Sequence, residues 1–188
     1  MYQRVLQGNE KGLGMDDALT LDTVNNLGLL YRNQGKLAQA EAMYQRALHG
    51  FEKALGKEHT TTLDTVNNLG TLFDDQGKLE QAEAMYRPAW QGYEKALGED
   101  LVDQYVRALN TCENLAHFLV LQGQPVEVTE LFQRALAGLK KVWGSSHERC
   151  RHLESAITSI NPQQGFGIDT AAAGAYLEPQ FPHGVRLT

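Results

Sequence analysis

The chain has little of what chemistry, nucleic-acid binding or membrane insertion requires. Two cysteines, Cys112 and Cys150, occur in 188 residues, too few for a disulfide framework and consistent with a reducing compartment. Lys and Arg number 17 against 23 Asp and Glu, so no basic stripe is present and nucleic acid is excluded as a partner. No apolar run approaches the roughly 20 residues that a membrane helix needs, and mean hydropathy is −0.40. The opening Met1-Tyr2-Gln3-Arg4-Val5-Leu6-Gln7 lacks the basic-then-apolar pattern of a secretory leader, which makes the cytosol the expected location. Phosphate loops, nucleophile elbows and His-Glu-x-x-His strings are missing, so neither an enzyme nor a cofactor is expected.

What is present is repetition. Thr20-Leu21-Asp22-Thr23-Val24-Asn25-Asn26-Leu27-Gly28 returns unchanged as Thr62-Leu63-Asp64-Thr65-Val66-Asn67-Asn68-Leu69-Gly70. A shift of 42 positions lays Met1–Ala42 on Met43–Ala84 with about two thirds of the residues identical, the signature of stacked supersecondary units. Within a unit, Leu63, Val66, Leu69, Gly70 and Phe73 recur at helical spacing and define a helix A, which Thr61 and Asp64 are expected to cap. Gly77 interrupts the run. Leu79, Ala82, Tyr86, Ala89, Trp90, Tyr93 and Leu97 then define a helix B, closed by Gly98.

Leu27-Gly28, Tyr31, Gly35, Ala40, Tyr44 and Ala47 have the spacing of the tetratricopeptide repeat, in which small residues let paired helices approach and aromatics fill the space around them. The 42-residue period and the Leu-Asp-Thr-Val-Asn-Asn-Leu-Gly string resemble the kinesin-light-chain type, a type also found in arrays attached to fungal NACHT or NB-ARC NTPases. The resemblance covers about residues 1–144. It implies an all-α, right-handed superhelical solenoid serving as a non-catalytic scaffold or adaptor; the alternative is the sensor array of a larger signalling NTPase. Residues 1–14 read as an orphan helix B, and 15–56 and 57–98 as complete units. Residues 99–144 read as a degenerate third unit whose four extra residues are expected to lengthen its helix A. Residues 145–160 read as a capping helix and 161–188, rich in Gly and Pro, as a disordered tail.

Opposite the core stripe of helix A lie Asp22, Asn25, Asn26, Leu29, Arg32 and Asn33, then Asp64, Asn67, Asn68, Thr71, Asp74 and Asp75, then Asn110, Glu113, Asn114, His117, Val120 and Leu121. The resemblance implies that this face lines a concave groove for an extended peptide or a partner helix. A carboxamide suits that task because it both donates to and accepts from a peptide unit, whereas paired asparagines in mid-helix sacrifice propensity. Leu29, Thr71, His117 and Val120 are expected to touch ligand side chains. Five carboxylates against Arg32 make the field acidic, favouring a basic or neutral ligand over the acidic cargo of kinesin light chains.

Other positions carry narrower expectations. Gly8, Gly50, Gly92 and Gly138 share one register inside helix B, which points to a close helix crossing. Pro88, where the previous unit has Arg46, is expected to kink or break its helix. His59 and His147 read as loop residues, and His147, Cys150 and His152 fit no zinc pattern, so no metal is expected. Cys112 takes the place of Val24 and Val66 and reads as a packing thiol. An uncovered stripe of Val5, Leu6 and Leu13 predicts self-association.

Overall fold

The computed structural model describes residues 2–122 and 125–159; the tail assigned to 161–188 lies outside them. Among the described residues every element is a helix: α1 (Tyr2–Gly12), α2 (Ala18–Asn33), α3 (Leu37–Leu55), α4 (Thr60–Asp75), α5 (Leu79–Val102), α6 (Val106–Leu121), α7 (Pro125–Trp143) and α8 (Glu148–Ser159). The closest neighbours are α2 with α3, α4 with α5, and α6 with α7, and each pair leans on the next through α3–α4 and α5–α6. This is an all-α solenoid of helix pairs. The helix-A role falls to α2, α4, α6 and α8, the helix-B role to α1, α3, α5 and α7.

Packing inside a pair follows from the small residues. A Cβ placed on Gly28 would lie 2.8 Å from the Tyr44 ring, and one on Gly70 would lie 2.8 Å from Tyr86, so each tyrosine lies flat on a bare stretch of helix A. The shared glycine of helix B acts in the opposite direction. A Cβ on Gly50 would meet Leu21 at 2.4 Å, one on Gly92 would meet Leu63 at 2.6 Å, and one on Gly138 would meet both Leu109 and the Asp103 carbonyl at 2.6 Å. Two helices interlocked by knobs of this kind bury Leu21, Val24, Leu27, Ala47 and Phe51 in the first pair, and Leu109, Cys112, Leu115, Ala135 and Leu139 in the third. The Cys112 thiol donates to the Leu131 carbonyl at 3.3 Å, and burial pushes it up to about 12.

Four expectations are corrected by the coordinates. Helix α5 keeps helical dihedrals through Pro88 and departs from them only at Gly98 (φ 73°); Pro88 itself is exposed. The four extra residues do not lengthen helix A, because α2, α4 and α6 each have 16 residues; they form a further helical turn after Gly98 that buries Val102. The cap of α4 is His59 rather than Thr61: its Nδ1 accepts from the Thr61 amide at 3.2 Å. His147 does the same for Arg149 at 3.3 Å, and Asp17 serves α2 in the same register. Finally, Leu6 is buried against α2, leaving Val5 and Leu13 as the exposed part of the amino-terminal stripe.

Candidate functional site

The two layers of the solenoid are spaced differently. Helix α2 lies directly against α4, and α4 against α6, whereas no comparable backbone approach joins α3 to α5 or α5 to α7 among the described residues. The B layer is spanned by long arms instead: Arg87 of α5 reaches Glu127 of α7 at 2.5 Å, and Arg134 of α7 reaches Glu94 of α5 while lying over the Trp90 ring. A stack that is closer on one side curves toward that side, so the A helices line the inside of the curve.

Along that inner layer the asparagines meet one another. Asn68 of α4 donates from Nδ2 to Asn25 Oδ1 of α2 at 3.3 Å. One unit on, Asn114 of α6 donates to Asn67 Oδ1 of α4 at 3.2 Å and lies 3.5 Å from Thr71 Oγ1. In both cases the second asparagine of one unit holds the first asparagine of the unit before it. Only short side chains bridge helices this close, which accounts for Asn where Gln or Lys would make a better helix. Asn25, Asn67, Asn68 and Asn114 are half-buried and Asn26 is exposed. Each bridged carboxamide keeps at least one donor or acceptor site beyond its neighbour.

The flanks of this row are salt-linked. Arg32 forks onto Asp75 across the α2–α4 seam, at 2.5 and 3.2 Å. Arg107 of α6 donates to Asp64 of α4 at 2.7 Å, and Asp64 also accepts from the Tyr93 hydroxyl. Arg149 of α8 donates to Glu113 of α6 at 2.5 Å, with His117 3.8 Å away on the other side. Three arginines therefore face the five carboxylates counted on this surface. Burial raises the Asp64 carboxyl against the pull of Tyr93 and Arg107. Burial, then the neighbouring Asp75, raises Asp74. Glu113 is held below the usual range: burial pushes it up, but His117 and Arg149 together outweigh that.

The expected ligand-contact residues divide. Leu29 and Thr71 are half-exposed on the inner face. Val120 is 8% exposed and belongs to the core, which corrects its place among the ligand contacts. His117 is half-buried, its ring edge-on to Phe132 at 4.8 Å. Asn110 shares the register of Asp22 and Asp64, and its Oδ1 is buried without a partner. Sequence reasoning missed Arg107 and Arg149. Both stand in the first turn of an A helix, where a cation opposes the helix dipole, and that misplacement was the available signal. The three residues weighed as metal ligands are engaged elsewhere: His147 caps α8, Cys150 is buried, and His152 lies 3.8 Å from Glu148.

The tetratricopeptide-repeat family matches residues 2–95, and the chain belongs to that family. Among solved structures it is similar to BtubC (BKLC) from P. vanneervenii, with a TM-score of 0.69 and 20% identity over 100% of this chain and 76% of that one. It is also similar to a kinesin-light-chain protein of nearly identical TPR-like repeats from Podosopora anserina, with a TM-score of 0.65 and 19% identity over 92% of this chain and 79% of that one. At such identities the likeness concerns the fold. No curated protein matches the sequence. Repeats of this family serve as protein-interaction scaffolds, and no described helix is long and apolar enough to cross a membrane.

Proposed function

We propose that the chain is a non-catalytic cytosolic adaptor that holds an extended peptide or a partner helix along the inner face of α2, α4 and α6. The observation that carries this reading is the asparagine row, in which Asn25–Asn68 and Asn67–Asn114 fix each other's orientation at half-exposed positions. Amides already locked by a neighbour lose little freedom when a ligand arrives, so their remaining donors and acceptors bind at lower entropic cost. Asn26, Leu29, Thr71 and Asp74 border the row and supply the side-chain contacts. With Arg32, Arg107 and Arg149 paired to Asp75, Asp64 and Glu113, the uncompensated charge falls on Asp22 and Asp74. The favoured ligand is a neutral or mildly basic segment.

A peptide-array screen of the purified chain would identify ligand sequences, and Asn25→Ala combined with Asn67→Ala tests the row. The expected result is binding lost by about tenfold or more, as two or more backbone hydrogen bonds disappear, with the circular dichroism spectrum unchanged. Full-strength binding by the double variant would refute the reading.

A further inference from the structure

We propose that the inner face is built for a proline-rich segment in the polyproline II conformation, whose backbone it grips at every third residue. This rests on the groove reading above and adds the class of ligand. Both asparagine bridges run in one sense. Nδ2 of the later asparagine donates to Oδ1 of the earlier one, at 3.3 Å from Asn68 to Asn25 and at 3.2 Å from Asn114 to Asn67. Thr71 fixes that sense at the second seam. Its hydroxyl donates to the Asn67 carbonyl at 3.1 Å and turns a lone pair toward Asn114, so Asn114 offers it Nδ2. The groups left over are then the same at both seams. Asn25 and Asn67 each keep an Nδ2 donor, and Asn68 and Asn114 each keep an Oδ1 acceptor. None of these four atoms is buried, and beyond the bridges none has a partner among the described residues. Each seam therefore offers one donor and one acceptor, the complement of a single residue's C=O and N–H.

The spacing of the seams selects the backbone. Cα atoms of α2 and α4 approach within 8 Å, as do those of α4 and α6, and helices packed in this way stand about 8–10 Å apart. Two identical grips at that distance need ligand residues equally far apart that face the same way. A β-strand fails: two residues advance about 6.8 Å, and the third, at about 10 Å, points to the opposite side. An α-helix fails because its N–H and C=O groups bond one another. Polyproline II succeeds, since three residues advance about 9.3 Å, complete one turn and leave the backbone groups unpaired. Within each triplet the gripped residue keeps its N–H, and proline suits the other two. Leu29, half-exposed one turn beyond Asn25, gives the pyrrolidine rings an apolar surface. In the third unit Glu113 holds the register of Asn25 and Asn67 and is taken by Arg149, so the grip falls on residues i and i+3.

The test titrates the intact chain into fluorescently labelled acetyl-(Ala-Pro-Pro)4-amide and acetyl-(Ala-Pro)6-amide and follows anisotropy. Both peptides are uncharged and favour polyproline II, but only the first repeats its alanine N–H at i and i+3. Saturable binding of the first is expected below about 1 mM, with the second about three- to tenfold weaker for the one N–H that proline removes. Asn67→Asp keeps the acceptor that Asn114 uses and replaces the outward donor by a second acceptor. It should weaken the first peptide about tenfold or more while the circular dichroism spectrum is unchanged; Asn25→Asp tests the other seam independently. Equal affinity for the two peptides, or affinity unaltered by both Asp variants, overturns the proposal. Array-selected peptides that need Asn25 and Asn67, together with no binding of the proline peptides at about 1 mM, overturn it and leave the groove reading standing. If neither kind of peptide binds, both fall.

Discussion

Replacing Pro88 by arginine should stabilise the protein. Pro88 occupies a mid-helix position in α5, where it supplies no N–H to the Ala84 carbonyl and restricts Arg87 before it, yet the helix stays helical there. The tertiary contacts of Ala82, Tyr86, Ala89, Trp90 and Tyr93, each 6% exposed or less, hold it in place. A proline in a helix interior is about 3 kcal/mol worse than alanine, and Pro88→Ala should recover up to that amount. Arginine restores something further. In this register Arg46 pairs with Glu10 at 2.8 Å, and Arg134 pairs with Glu94, so Glu52 is the carboxylate that an arginine at 88 would face. An exposed pair of this kind adds about 0.2–1 kcal/mol. The sum, about 3–4 kcal/mol, corresponds to a rise in Tm of roughly 6–16 °C for a cooperative chain of this length. Thermal and urea unfolding of the wild type, Pro88→Ala, Pro88→Arg and Pro88→Arg with Glu52→Gln separate the two contributions. A Pro88→Ala protein no more stable than wild type would refute the claim that α5 is held helical against its sequence, and identical stability of the last two variants would remove the ion pair.

Further outcomes follow from the same packing. Gly50→Leu should lower Tm more than Gln45→Leu in differential scanning calorimetry, because Leu21 already occupies the space a side chain at 50 would need; overpacking of this kind costs about 1–3 kcal/mol. The Tyr44 hydroxyl is buried without a partner. In urea titrations Tyr44→Phe should therefore be neutral or stabilising. Asp74, raised by burial and by Asp75, binds its proton more tightly folded than unfolded, so its charge costs stability at neutral pH and that cost fades as pH falls through the raised value. Asp74→Asn should be more stable than wild type by about 0.5–1 kcal/mol at pH 7, with the gap closing in acid. Glu113 has the opposite sign: its depressed carboxyl contributes stability above the ordinary carboxylate range and loses it as pH falls through the folded value. The penalty of Glu113→Gln in pH-dependent denaturation should be full at pH 7 and vanish in strong acid.

Local pattern alone determined the repeat, its pairing into A and B helices and the core stripe of each complete unit. These depend on periodicity and on small side chains, and a 42-residue recurrence states both directly. Gly50, Gly92 and Gly138 illustrate this, since a glycine kept in one helical register can be read as a crossing point before any neighbour is known. Contacts between units were not legible, because they depend on how far each unit is rotated and displaced from the last. That displacement decided that Asn68 reaches Asn25, and that Arg107 and Arg149, three residues or more from the face assigned to the groove, swing across to Asp64 and Glu113. It also decided that Val120 turns inward, and that four inserted residues are absorbed after Gly98 without altering α6. Sequence specifies what each helix can bury; the relative placement of the helices specifies which polar groups lie within 3 Å of one another, and the charge and reach of the inner face depend on that second quantity.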